Sequence, residues 1–283
     1  MTKSKELWET NLTWQGETKL TKSPQFGRAA ASYAQHRLGF PASMYARLAI
    51  EGLLKHGMKH IDLGTGTGTL ARATTMMGLK STGLDIDQAM LSEATRLATE
   101  TGLALEFREA KAEETGADNA SLDLVTAGQC WHWFDRPRAA AEAYRVLKPG
   151  GHIVICHYDW MASAGNMVEA TEDLIVSYCP DWKGARGNGV YPLWFRDLGD
   201  AGFVGIQSFS YDEPAIYSRE SWVHRIEASA GIAMLDEDDR TRFKAELRAL
   251  LTKKFPDDPL TVPHRVFAVW GMKSAETLPT IKE

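Results

Sequence analysis

Apolar residues occur along this chain in short dense blocks, separated by stretches in which they return every third or fourth position. The blocks at Lys59–Leu63, 81–84, 103–107, 122–127, 152–157, 203–211 and 264–271 read as strands. The stretches between them read as helices with recognisable ends. Pro41 opens one that runs to about His56 and closes at Gly57, and another is expected at 28–36. A helix follows at 69–77, and Asp87 caps one reaching about Thr101, with Met90, Leu91, Ala94, Leu97 and Ala98 on one face. The next spans 138–147 and is stopped by Lys148-Pro-Gly-Gly151. Strands alternating with helices predict an α/β fold with a parallel sheet covered on both faces. Right-handed crossovers bring the strand carboxyl ends, and every loop that leaves them, to one edge.

After the fifth strand the alternation breaks. Residues 160–200 hold a helical stretch, a turn region at 180–192 and a helix containing Leu-Trp-Phe-Arg-Asp-Leu. Two further helices, 219–230 and 236–255, separate the last two strands, where a tight hairpin would be usual. That excursion predicts a lid or substrate cap. The expected division is a polar leader at 1–25 (with Trp8 and Trp14), a core with an N-terminal lid helix at 26–157, a helical cap plus strand six at 158–262, and a last strand and tail at 263–283.

Chemistry concentrates at the first strand. It leads into Ile-Asp-Leu-Gly-Thr-Gly-Thr-Gly-Thr-Leu at 61–70, and Asp85 closes the second strand seventeen residues after Gly68. Glycine lacks a Cβ, so this loop can turn sharply and let a ligand touch its amides. An acid at the tip of the next strand can accept hydrogen bonds from both hydroxyls of a ribose. The spacing Gly64-x-Gly66-x-Gly68 is not the G-x-G-x-x-G of dinucleotide enzymes, and Thr69 stands where the third glycine would be. Asp62, two residues before Gly64, would repel a pyrophosphate but could receive an ammonium group, directly or through water. The pattern fits S-adenosylmethionine, which carries an ammonium, a sulfonium and a ribose but no phosphate.

These segments resemble motifs I and II of the class I S-adenosylmethionine-dependent methyltransferases. The runs Ser-Leu-Asp-Leu-Val-Thr-Ala-Gly-Gln-Cys-Trp-His-Trp-Phe at 121–134 and Glu-Ala-Tyr-Arg-Val-Leu-Lys-Pro-Gly-Gly at 142–151 resemble the small-molecule branch containing the trans-aconitate and ubiquinone/menaquinone C-methyltransferases. Phe26, Tyr33, Arg37 and Pro41 resemble that branch's N-terminal lid. The resemblance implies a Rossmann-like fold with a seven-stranded, mostly parallel sheet, helices on both faces and a helical cap. It implies that Asp62, Gly64, Thr65 and Gly66 cradle the methionine moiety, and that Asp85 binds the ribose. Ile86 and Met90 would pack on the adenine, and Ala112 with Glu113 would meet its amino edge. Gln129 would face the sulfonium, and Arg37, one turn from Tyr33, would clamp the carboxylate. The family more often has an acid where Lys111 stands here.

Methyl transfer needs alignment, desolvation and, for some acceptors, removal of a proton. His132, just beyond the fourth strand, is the candidate base, because an imidazole titrates near neutrality. His157, Tyr158 and Asp159, at the end of the fifth strand, form a second base or acceptor-binding set. Nine tryptophans is generous for 283 residues. Trp131, Trp133, Trp160, Trp182 and Trp194 fall in segments expected at the pocket or cap, where aromatic walls suit planar acceptors. Each of these residues also has a plain packing alternative. With 44% apolar residues the chain can bury a substantial core, and its net charge of −5 argues against nucleic-acid or anionic-membrane partners. The three cysteines have neither metal nor disulfide spacing, and no apolar run is long enough for a membrane helix. The resulting expectation is a cytoplasmic enzyme acting on a small molecule at an O or C acceptor, with no metal. The alternatives are a protein-directed methyltransferase, a non-catalytic S-adenosylmethionine-binding module and, more distantly, an NAD-dependent oxidoreductase. Oligomeric state is not legible.

Overall fold

A computed structural model describes residues 39–182, 184–229 and 231–275. The polar leader, the helix expected at 28–36 and the candidates Tyr33 and Arg37 lie outside the described residues. Within them the chain packs as two compact units, one of 39–157, 192–210 and 266–275, the other of 158–191 and 211–265.

The first unit is built on a seven-stranded sheet. Its strands are β1 (Lys59–Leu63), β2 (Lys80–Asp85), β3 (Glu106–Glu109), β4 (Leu122–Gly128), β5 (Leu147–Trp160), β6 (Phe203–Asp212) and β9 (His264–Lys273). The order is β3-β2-β1-β4-β5-β9-β6, and the pairs β1–β2, β1–β4, β2–β3 and β4–β5 are parallel. The chain winds outward from β1 in one direction and from β4 in the other. A crevice therefore opens at the carboxyl ends of β1 and β4, where successive connections leave to opposite sides. The strand centres are buried on both faces: Leu63, Leu124, Ala127, Ile153, Val154 and Ile155 have almost no accessible surface. This is why they read as continuous apolar runs rather than alternating ones.

The helices of this unit are α1 (Ala42–Ile50), α2 (Thr69–Met76), α3 (Gln88–Glu100), α4 (Arg136–Val146) and α6 (Pro192–Asp200). Asp87 caps α3, accepting from the amides of Ala89 at 2.9 Å and Met90 at 3.3 Å. The third strand begins later than expected. Gly102 takes φ +65° after α3, and the amide of Leu103 donates to the carbonyl of Ala98 at 2.9 Å, so Leu103 closes the helix instead of opening β3. The expected turn at 148–151 is a bulge inside β5, which pairs with β4 at Leu147 and again from His152. The segment 192–210, which falls within the expected helical cap plus strand six at 158–262, groups with the sheet. Its helix buries Trp194 and Leu198, and its strand completes the sheet edge.

The second unit is mainly helical, with α5 (Met167–Tyr178), α7 (Arg219–Glu227) and α8 (Glu237–Lys254). Phe243, Leu247 and Leu251, four residues apart, form the buried stripe of α8. Two short strands, β7 (Ala215–Tyr217) and β8 (Leu260–Val262), pair antiparallel. At three residues each they carry too little alternation to be read from sequence.

Candidate active site

The loop after β1 follows from its glycines. Gly64, Gly66 and Gly68 all take positive φ, at +59°, +55° and +77°. A Cβ on Gly64 would lie 2.9 Å from the Cys130 sulfur, and one on Gly68 would lie 2.7 Å from the Phe107 ring. Those two glycines let the loop press against its neighbours. A Cβ on Gly66 would meet nothing within 4 Å among the described residues, so the space beside its Cα is empty of them. The Thr65 amide donates to the carbonyl of Leu84 at 2.8 Å, stitching the loop to β2. Asp85 reaches back: its Oδ2 accepts from the Gly66 amide at 2.8 Å and its Oδ1 from the Asp87 amide at 3.0 Å. Burial raises the Asp85 pKa, against these backbone hydrogen bonds.

Beneath the loop Asp62 is almost fully buried. Its Oδ2 accepts from the Thr65 hydroxyl at 2.7 Å and its Oδ1 from the Thr126 hydroxyl at 2.6 Å. Burial is the main force pushing its pKa up to about 6, and the hydroxyl bonds oppose it. His60 continues this network. Its Nε2 lies 2.8 Å from Thr126 Oγ1, and its Nδ1 lies 3.0 Å from Ser81 Oγ and 3.2 Å from Thr74 Oγ1. Burial lowers the His60 pKa to about 3, so the ring is neutral. An ionised Asp62 can only accept, so Thr126 gives it the hydroxyl proton and accepts one from His60 Nε2–H. Nδ1 is then the acceptor for Ser81 or Thr74, which fixes the tautomer.

Beyond Asp85 the chain is organised by the turn after β3. The Ala110 amide donates to the Asp85 carbonyl at 3.0 Å, and the Glu114 amide closes the turn onto Lys111 at 3.1 Å. The Thr115 amide and hydroxyl both donate to Glu142 Oε1, at 2.8 and 2.6 Å, tying this turn to α4. Burial pushes the Glu142 carboxyl up, but the Arg145 and Thr115 hydrogen bonds outweigh it and hold the pKa at about 2. Glu113 accepts from the Asp135 amide at 2.8 Å.

On the other side, Gly128 ends β4 with the Phe40 ring 3.0 Å from where its Cβ would stand. Gln129 takes φ +60°, a strained conformation for a residue with a side chain, and its amide donates to the Cys156 carbonyl at 2.9 Å. A single 3-10 turn, Trp131–Trp133, follows. It presents the exposed His132, whose ring lies 5.4 Å from that of His157, which in turn lies 4.9 Å from Trp194.

Asp62, Gly64, Thr65, Gly66 and Asp85 thus meet around one loop, with Ala112 and Glu113 on the turn tied to β2, and His132 meets His157. Other candidates are placed differently. Asp62 lies under the loop, almost fully buried, with each oxygen accepting one hydroxyl hydrogen bond. Met90 is only 4% exposed and belongs to the core face of α3, whereas Ile86 is 61% exposed. Trp131 is a core residue, fully buried with its indole N–H donating to Asp197 at 2.9 Å, not an acceptor wall, while Trp133 is exposed. Tyr158 and Asp159 are built into the second unit. The Tyr158 hydroxyl donates to the Glu213 carbonyl at 2.9 Å, and Asp159 accepts from the Tyr191 hydroxyl at 2.5 Å. Sequence reading missed His60, Phe107 and Phe40. Only His60 carried a signal, a polar residue inside an apolar strand.

Strand order and this loop together define a Rossmann-like fold of the class I methyltransferase type. A family model described as Methyltransferase domain matches residues 61–155 of this chain. The chain is 36% identical over 132 residues to an uncharacterized methyltransferase of Mycobacterium tuberculosis, covering 46% of this chain and 51% of that protein. It is 32% identical over 149 residues to a ubiquinone biosynthesis O-methyltransferase of Pseudomonas savastanoi pv. phaseolicola, covering 50% and 64%. The chain thus spans about half the length, or somewhat more, of the curated relatives it matches. In fold it is similar to phosphoethanolamine N-methyltransferase 2 of Haemonchus contortus, a structure in complex with phosphomonomethylethanolamine and S-adenosylhomocysteine. That match has a TM-score of 0.53 at 21% identity, over 88% of this chain and 57% of the other.

Proposed function

We propose that this chain is a class I S-adenosylmethionine-dependent methyltransferase acting on a small molecule, with an oxygen or carbon as acceptor. The observation that carries the reading is the loop over two carboxylates: Asp85 accepts from the Gly66 amide, and the space a Gly66 Cβ would take is empty among the described residues. Two acids at this edge disfavour a pyrophosphate and favour a cationic nucleoside. The Methyltransferase domain match and the relatives named for methyl transfer support the same reading.

When bound, S-adenosylmethionine supplies a methyl group activated by the positive sulfur. In this proposal Gly64, Thr65 and Gly66 hold the methionine end, and Asp62 acts through the loop that it ties down. Asp85 receives the ribose hydroxyls on its remaining lone pairs, Ile86 covers the adenine, and the turn at Ala112 and Glu113 meets the amino edge. Gln129 faces the reacting centre. His132 would take up the proton that the acceptor loses. Tyr33 and Arg37 are assigned to the lid and Met90 to packing. The second unit is assigned to acceptor recognition. A cytoplasmic setting and no nucleic-acid partner belong to the same reading, supported by the net charge of −5. No helix among the described residues is long and apolar enough to cross a membrane.

The test is incubation with labelled S-adenosylmethionine and a metabolite mixture, followed by mass spectrometry for methylated products. His132→Ala should lower turnover by about a hundredfold, within the range for general-base removal, with S-adenosylhomocysteine affinity unchanged. Equal losses in both would assign His132 to packing.

A further inference from the structure

Beneath the glycine loop, five buried polar side chains from α2, β2, β1 and β4 form a continuous hydrogen-bond chain. Thr74 Oγ1 lies 2.9 Å from Ser81 Oγ, which lies 3.0 Å from His60 Nδ1. His60 Nε2 lies 2.8 Å from Thr126 Oγ1, and that oxygen lies 2.6 Å from Asp62 Oδ1. The other Asp62 oxygen holds the Thr65 hydroxyl, so the chain ends on the loop itself. With Asp62 ionised the chain runs toward it. Thr74 donates to Ser81, Ser81 to His60 Nδ1, Nε2–H to Thr126, and Thr126 to the carboxylate.

The same contacts also satisfy the chain in reverse. A protonated Asp62 donates to Thr126, Thr126 to His60 Nε2, Nδ1–H to Ser81, and Ser81 to Thr74. Thr74 then donates to the carbonyl of Leu70 or Ala71, each 3.0 Å away. One proton is added from solvent, and the imidazole stays neutral while its own proton passes from Nε2 to Nδ1. Neither direction strands a polar atom of the chain, so the carboxylate can change charge inside the fold. Burial brings that change close to neutrality, pushing the Asp62 pKa up to about 6. The titratable groups that feel the Asp62 charge are Asp85 on β2, Tyr45 on α1 and Cys156 on β5. Burial raises the pKa of all three, which keeps Tyr45 and Cys156 neutral, and Arg72 on α2 faces Tyr45. We propose that His60 is a positioning residue for cofactor binding, its tautomer fixing the direction of the chain and with it the charge of Asp62 under the loop. Resting on the methyltransferase reading above, the ionised state favours a nucleoside that carries an ammonium group.

The test titrates the full chain by calorimetry, from about pH 5 to 8, with S-adenosylhomocysteine and with methylthioadenosine, which lacks the amino-acid end. Asp85 and the integrity of the fold act on both ligands, so the ratio of the two affinities isolates the ammonium end. That ratio should fall at least about fivefold from pH 7 to 5, as the Asp62 charge is lost. His60→Leu should move the midpoint of this fall up by about one pH unit, the worth of one lost hydrogen bond. His60→Gln keeps a donor toward Thr126 and should move it less. A ratio indifferent to pH, or equal weakening of both ligands in His60→Leu with the midpoint unmoved, would overturn the proposal. Should His60→Leu not fold, nitrogen NMR of the native chain decides the matter. The His60 proton should sit on Nε2 above the midpoint and on Nδ1 below it, and a single tautomer throughout would contradict the chain. Failure of the native chain to bind either nucleoside would sink the methyltransferase reading instead, and the tautomer measurement would still judge the chain.

Discussion

Asp62 and His60 face opposite electrostatic penalties and share one hydroxyl. Asp62 has its pKa raised from 3.8 to about 6, so the folded chain binds the extra proton and stability falls as pH rises through that window. His60 has its pKa lowered from 6.5 to about 3, so the unfolded chain binds the proton and stability falls as pH drops. Between about pH 4 and 6 the two slopes oppose, each near 1.4 kcal/mol per pH unit. Relative to the native chain, Asp62→Asn should gain stability by about that slope as pH rises, and His60→Gln should lose it. Urea denaturation across this range measures both, and parallel curves for all three proteins would refute the assignment. Thr126→Val strands both partners and should cost about 2 kcal/mol at pH 7. Asp85→Ala should weaken S-adenosylhomocysteine by at least about tenfold, the loss of charge-assisted hydrogen bonds, while the chain still melts cooperatively. Unchanged affinity in calorimetry would remove Asp85 from the ribose.

The strands and helices of the first unit were legible because each end is signalled locally. β1 spans Lys59–Leu63 as expected, and Asp87 caps α3 where the sequence placed it. The errors also have local causes: Leu103 was read as a strand residue because an apolar residue after a glycine fits either a helix closure or a strand start. The bulge in β5 hides behind Pro-Gly-Gly, which signals a turn more strongly than a strand. Phe107 was invisible as a site element, yet its ring fills the space beside Gly68 and Gly83, where a Cβ would approach it to 2.7 and 2.6 Å. Gly83→Val should therefore push both Phe107 and Thr65, costing about 2 kcal/mol of overpacking and loosening the loop. A thermal midpoint equal to that of the native chain would show that β2 and β3 can part without cost.

Taken whole, the chain reveals the loop between β1 and β2 in sequence and conceals the rest. Glycines and acids at fixed spacing carry the chemistry of a nucleoside site into one dimension, because backbone turns and strand ends are local. His157, Tyr158 and Asp159 are adjacent in sequence, yet His157 belongs to the sheet unit and the other two to the helical unit. No spacing rule announces such a division. The central claim is that the edge between β1 and β2 receives a sulfonium-bearing nucleoside. Calorimetry of the purified chain against S-adenosylhomocysteine and NAD tests it most directly. The account predicts one-to-one binding of S-adenosylhomocysteine, and at a hundredfold excess over its Kd a stabilisation of about 2.7 kcal/mol in a parallel melt. Retention of NAD by a chain indifferent to millimolar S-adenosylhomocysteine would contradict it.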